Sequence, residues 1–169
     1  RDEPRIRRFH FFTNAILMKP ALWERLCGYG ERLTVYCSFG GFDRKTYAAV
    51  MGVDKFDDAA ANIKGLLEAK RRLGSSLLVQ LNLRSAVGSE SGEFWDYCQR
   101  AREAGALVID RIHAFDSWSG AIQEADLQAV GLKARPMPPR RGPCHRLITG
   151  PTMLADGKVN ACAARDIET

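Results

Sequence analysis

No two cysteines in this 169-residue chain stand close enough to form a CxxC pair, and the five present (Cys27, Cys37, Cys98, Cys144 and Cys162) are an odd set. That usage argues against a disulfide framework and leaves metal and core roles open. Nowhere is there an apolar run long enough to cross a bilayer, so a membrane is not an expected partner. No apolar signal core precedes the first strand pattern, and a cytoplasmic location is the expectation. The chain opens on Arg1 and stops at ARDIET without a closing helix; an internal fragment of a longer protein is therefore expected. The net charge is +5, but the basic residues are scattered apart from short runs at Arg5–Arg8, Lys70–Arg72 and Pro139–Arg141. Lys70–Arg72 suit the carboxyl end of a helix. Nucleic acid is not the expected partner; binding there would have to fall steeply with salt.

What is present is an alternation of short apolar runs with helical patterns, the mark of βα units around a parallel sheet. Strands are expected at Phe9–Thr13, Leu33–Cys37, Leu77–Leu83 and Leu107–Ile112. A helix is expected over Pro20–Cys27, with Pro20 in its first turn and Gly28 as its stop. A longer one should start with Asp57 as its cap, carry Ile63, Leu66, Leu67 and Leu73 on one face and end at Gly74. Phe94, Tyr97, Cys98 and Ala101 share another helical face. Parallel strands joined by helices imply right-handed crossovers. The chain is too short for a closed eight-stranded barrel, which needs about 200 residues or more.

After the fourth strand the texture changes. A short helix is possible at Ala121–Val130. Arg135–Pro143 holds four prolines and reads as a linker. Cys144–Cys162 frames a small unit in which Asp156-Gly157 signals a two-residue hairpin turn. The expected organisation is residues 1–134, then linker 135–143, then a small cysteine-containing unit over 144–169.

Ligands of parallel βα units gather at the carboxyl ends of the strands. Those ends are Thr13-Asn14, Ser38 through Gly41, Asn82 through Arg84, and His113. Gly40-Gly41 would let backbone approach a ligand closely, or simply make a turn. Twelve residues separate Cys144 from Gly157, and KVNA separates Gly157 from Cys162. A hairpin of that size can bring two thiolates to one centre, and thiolates select zinc, copper(I) or iron–sulfur clusters. Two ligands are an incomplete site, and two unconnected cysteines remain an open alternative. Cys37 and Cys98 read as buried hydrophobes.

Taken in order, these pieces resemble a known family. FFTNAILM at Phe11–Met18 resembles the TNG strand end of radical S-adenosylmethionine enzymes. Residues 38–74, from SFGG through Tyr47 and the long helix, resemble that family's S-x-D-G stretch, and LLVQLNLR resembles its next strand. Cys144, Gly157 and Cys162 fit the C-x(9–15)-G-x4-C signature of the SPASM domain, which binds auxiliary clusters. The resemblance covers nearly the whole chain.

It implies an α/β fold: a sector of a (β/α)6 partial TIM barrel, followed by the start of a SPASM unit. It also implies that the parent enzyme uses a [4Fe–4S] cluster to cleave S-adenosylmethionine reductively. The resulting 5′-deoxyadenosyl radical would take a hydrogen from a peptide, protein or small-molecule substrate, with flavodoxin or ferredoxin as electron donor. Ser38 falls where the family meets the nucleoside, and Asn82 where it reaches the ribose or methionine. Arg84 would pair with the methionine carboxylate. Asn14 and Gly41 complete the expected cofactor contacts, and Cys144 and Cys162 match the first auxiliary-cluster ligands. CxxxCxxC and GGEP are missing, Gly40 stands for the usual Asp, and Ala15 for the Gly of TNG. The fragment alone is thus not expected to carry out the radical step. The competing expectation is a non-catalytic α/β binding module with a zinc- or cluster-holding hairpin.

Overall fold

The computed structural model describes residues 7–84, 88, 90–112, 114–115, 122–135, 152–153 and 156–160. The chain divides into two units, Arg1–His113 and Ala114–Thr169.

The first unit is built on four strands, β1 (Phe9–Thr13), β2 (Leu33–Phe39), β3 (Leu78–Leu83) and β4 (Val108–Arg111). All pairings are parallel and the spatial order is the chain order, β1-β2-β3-β4. Between the strands run α1 (Pro20–Cys27), α2 (Arg44–Met51), α3 (Phe56–Arg72) and α4 (Glu93–Glu103). Because a right-handed crossover always steps to the same side, sequential order gathers the helices into one layer on one face. Side-chain contacts bear this out. Lys64 of α3 pairs with Glu93 of α4 at 3.1 Å, and the Tyr97 hydroxyl of α4 donates to the Lys64 carbonyl at 3.4 Å.

Alternation along β2 shows where the core lies. Leu33, Val35, Cys37 and Phe39 are buried, whereas Thr34, Tyr36 and Ser38 are partly exposed. The buried set, with Val79, Leu81 and Leu83 of β3, meets Ile63, Leu66 and Leu67 of α3 and Phe94 and Cys98 of α4. Phe39 is the centre of the upper core: its ring lies 5.1–5.8 Å from those of Phe42, Tyr47, Phe56 and Phe94. All four are tilted contacts, an alternative to face-to-face stacking that the ring quadrupoles favour.

The expected strands and the helix Pro20–Cys27 are present, with β2 running two residues further than expected. Helix α2 was not anticipated. Its signals were local ones: Asp43 caps it by accepting from the Thr46 amide at 2.9 Å, and Gly52 ends it in the left-handed region. Only Tyr47 of its side chains is buried, so no apolar stripe announced it. The N-cap of α3 is Lys55 rather than Asp57. Asp57 instead lies in the first turn, where its charge suits the helix dipole and pairs with Arg44.

In the second unit, β5 (Ala114–Phe115) and β6 (Lys133–Ala134) pair in parallel, with α5 (Glu124–Ala129) between them. Strands β7 (Thr152–Met153) and β8 (Val159–Asn160) form the expected antiparallel hairpin. Its connection is longer than two residues, since Met153 faces Val159. The Asp156 carboxylate accepts from the Lys158 amide at 3.0 Å, an Asx turn that places Gly157 at φ 83°. Among the described residues no helix is long and apolar enough to cross a membrane.

Where α1 crosses α3, a Cβ on Gly65 would lie 2.2–2.7 Å from three ring carbons of Trp23. Alanine in a helix interior ordinarily gains about 1 kcal/mol over glycine, but overpacking against a fixed ring costs about 1–3 kcal/mol. Gly65→Ala is therefore expected to lower stability in urea unfolding. In a Trp23→Ala background the same change should raise it, and a loss in both backgrounds would contradict the contact.

Candidate functional site

The face of the sheet away from the helices carries His10 and Phe12 of β1, Thr34, Tyr36 and Ser38 of β2, Leu78, Gln80 and Asn82 of β3, and Val108 and Asp110 of β4. Parallel sheets are ordinarily apolar on both faces. Here one face is graded. Towards the middle, the Phe12 and Tyr36 rings stack at 4.7 Å and 15°, and His10 leans on Tyr36 at 5.4 Å. Towards the carboxyl ends, the strand register sets Ser38, Asn82 and Asp110 side by side.

Two members of this row, Asn82 and Asp110, are held by one amide. Gln80 Nε2 donates to Asn82 Oδ1 at 2.8 Å and to Asp110 Oδ2 at 3.2 Å. Both amide hydrogens are thereby used. Asn82 is the most enclosed member, at 9% exposure. Just past β3, the Arg84 amide donates to the Phe39 carbonyl at 2.7 Å and extends the ladder by one residue. Burial lowers the pKa of its guanidinium from the usual value, though an arginine stays charged at any ordinary pH.

The remaining sites fall as follows. Asn14 is exposed, and its Oδ1 accepts from the Ile16 amide at 3.1 Å while Thr13 Oγ1 accepts from Ala15 at 2.9 Å. These bonds shape a turn in which Ala15 takes φ 63°. That conformation costs an L-residue roughly 1–2 kcal/mol. Asn62 Nδ2 of α3 clamps the turn by donating to the Ala15 and Ile16 carbonyls at 2.8 and 3.1 Å. The position would suit a glycine, and its alanine is kept in place by Asn62.

Gly40 and Gly41 are buried against α2. A Cβ on Gly40 would meet Met51, Tyr47 and Val50 at 2.7–3.0 Å, and one on Gly41 would meet Thr46 at 2.5 Å. Helix packing therefore accounts for the pair. Cys144, Cys162, His113, Trp118, His145 and residues 136–143 lie outside the described residues. Among those described, no group of three or more His, Cys, Asp or Glu side chains could hold a metal ion.

Sequence reasoning missed Gln80 and Asp110, both of which sit in runs that look like ordinary strand. The period-two alternation, carried through LVQLNL and VIDR, would have placed both on the Asn82 face. It also missed the half-buried ion pair of Glu90 with Arg111, which ties the segment after β3 to β4. Two surface grooves, of about 350 and 310 Å³, lie in the helix layer beside Trp23 and Gly65 and beside Phe56 and Phe94. Neither touches the polar row.

No family model, no curated protein and no solved structure matches this chain.

Cys27, Cys37 and Cys98 are buried core thiols. Burial pushes Cys37 and Cys98 up to about 12 from 9.0, and burial also raises Cys27. An unfolded thiol ionises first, so Cys37 and Cys98 leave stability unchanged below pH 9.0 and lower it as pH rises towards 12. Each should contribute a slope of about 1.4 kcal/mol per pH unit in that window. A Cys37→Ala, Cys98→Ala double variant should show a flatter alkaline limb than the wild type in urea unfolding. Equal slopes would contradict the burial of these thiols.

Proposed function

We propose that this chain is part of a radical S-adenosylmethionine enzyme, a sector of its partial barrel with the beginning of a SPASM unit, and that the open sheet face is its cofactor side. The observation carrying the proposal is the polar row Ser38–Asn82–Asp110, with Asn82 and Asp110 held by Gln80, at the carboxyl end of a parallel sheet whose helices all lie on the other face. Sequential strand order with one-sided helices is what a barrel sector requires, since the opposite face becomes the barrel interior.

The donor set fits a polar, partly aromatic cofactor. Ser38 and Asn82 would hold the nucleoside by hydrogen bonds, Arg84 would pair with a carboxylate, and Phe12 and Tyr36 offer an aromatic surface beside them. When bound beside a reduced cluster, the cofactor supplies hydrogen-atom abstraction from a substrate. This chain's own contribution is to orient the cofactor and to shield it on one side. The CxxxCxxC ligands are absent from the sequence, so the cluster would be held by residues outside it. A peptide, protein or small molecule is the substrate class, and a flavodoxin or ferredoxin the electron donor.

S-Adenosylmethionine should bind the chain in calorimetric titration, and Arg84→Gln should weaken it about tenfold through loss of a charge-assisted bond. Ser38→Ala should weaken it by a smaller factor. Unchanged affinity in both variants, or no binding by the wild type, would count against the proposal.

For the SPASM unit, anaerobic reconstitution should load iron and sulfide that a Cys144→Ser, Cys162→Ser variant fails to retain. Zinc in place of iron would favour a binding module instead.

A further inference from the structure

We infer that Asn62, on α3 in the helix layer, is a positioning residue for the ligand of the open face. It acts by holding the strained turn at Ala15, and so sets where the rim residue Asn14 stands. The inference deepens the reading of this face as the ligand side and rests on it.

Among the described residues, Ala15 is the one non-glycine with a positive φ, and it is fully buried. Two local bonds favour its turn, from the Ala15 amide to Thr13 Oγ1 and from the Ile16 amide to Asn14 Oδ1. The clamp comes from 47 residues further along the chain. Asn62 Nδ2 donates to the Ala15 carbonyl and to the Ile16 carbonyl, the two peptide groups that follow the strained residue. The place of the turn gives this clamp its consequence. Thr13 pairs with Cys37 in the register of β1 and β2, so Asn14 stands one step on, beside Ser38 of the polar row. Asn14 is exposed. Its Oδ1 is committed to Ile16, and its Nδ2 has no partner among the described residues and is left to donate.

Strain and clamp are closely matched. The penalty on an L-residue in the left-handed region and the net gain from two neutral hydrogen bonds are of the same order. Without Asn62 the turn loses that balance, and Ala15 relaxes towards negative φ and carries Asn14 away from its place beside Ser38. A ligand that needs the turn then binds only the molecules that retain it, and its affinity falls by their fraction. Glycine at position 15 carries no such strain, so with glycine there the turn no longer depends on Asn62. This conditional dependence separates a positioning role from a merely structural one. Asn62 itself is half-buried in the helix layer and acts on the ligand only through the turn.

The test is calorimetric titration of the whole chain with S-adenosylmethionine, in the wild type, Asn62→Ala, Ala15→Gly and the double variant. Alanine favours a helix, so Asn62→Ala should keep the wild-type circular dichroism. Asn62→Asp serves as a second variant, since it keeps the size but sets an acceptor against two carbonyls. In the wild-type background each change at Asn62 should weaken binding about tenfold. In the Ala15→Gly background Asn62→Ala should weaken it no more than about threefold. A merely structural role would lower the urea midpoint and leave the affinity of the folded molecules unchanged. That result overturns the inference and leaves the proposed function standing. An equal loss in both backgrounds also overturns it, because Asn62 would then act by a route other than Ala15. No binding by the wild type removes the proposed function and the inference together.

Discussion

The sequential, all-parallel order of the four strands is the constraint on which the rest of this structure depends. Each of the three connections, β1 to β2, β2 to β3 and β3 to β4, moves one strand along and returns in parallel. Repeated in one direction, that step stacks the helices on a single face. The apolar alternate residues of β2 and β3 must then turn towards the helices, and Phe39, fully buried amid four other aromatic rings, closes the upper end of that core. The opposite face is released from packing and free to carry polar groups.

The chain uses that freedom unevenly. The middle of the open face is aromatic, with Phe12 and Tyr36 stacked, and the carboxyl end is polar. A polar row on a sheet is costly when its members are left without partners. The Gln80 amide lowers this cost by satisfying one acceptor on each of two strands, and it simultaneously fixes which way Asn82 points. The turn after β1 shows a similar economy. The strained Ala15 is held by Asn62, a side chain from α3, so the rim beside Ser38 is fixed from the helix layer.

Much of the fold was legible because period-two and period-3.6 patterns are local. Phe9–Thr13 and Pro20–Cys27 were found with their observed ends. The parallel arrangement followed from the order of elements. Helix α2 was not legible, since it buries one tyrosine and is defined by its caps, Asp43 and Gly52. Of the candidate site, Ser38, Asn82 and Arg84 stood out by being polar at strand ends, whereas Asp110 and Gln80 sat inside runs that resembled ordinary strand. Their role depends on inter-strand register, which no single segment contains. Gly41, expected at a ligand approach, also has a packing reason to be glycine, the methyl of Thr46. That reason lies in α2, which the sequence patterns did not disclose.

The central claim is that the ligand side of this chain is the open sheet face and not the helix layer. Nitrogen-15 chemical-shift mapping during titration with S-adenosylmethionine tests it most directly. The account predicts that the shifts concentrate at Ser38, Asn82, Arg84 and Asp110, with the side-chain amides of Asn82 and Gln80 among the most affected. Shifts confined to Trp23, Gly65 and the groove between α1 and α3, with the polar row unmoved, would contradict it.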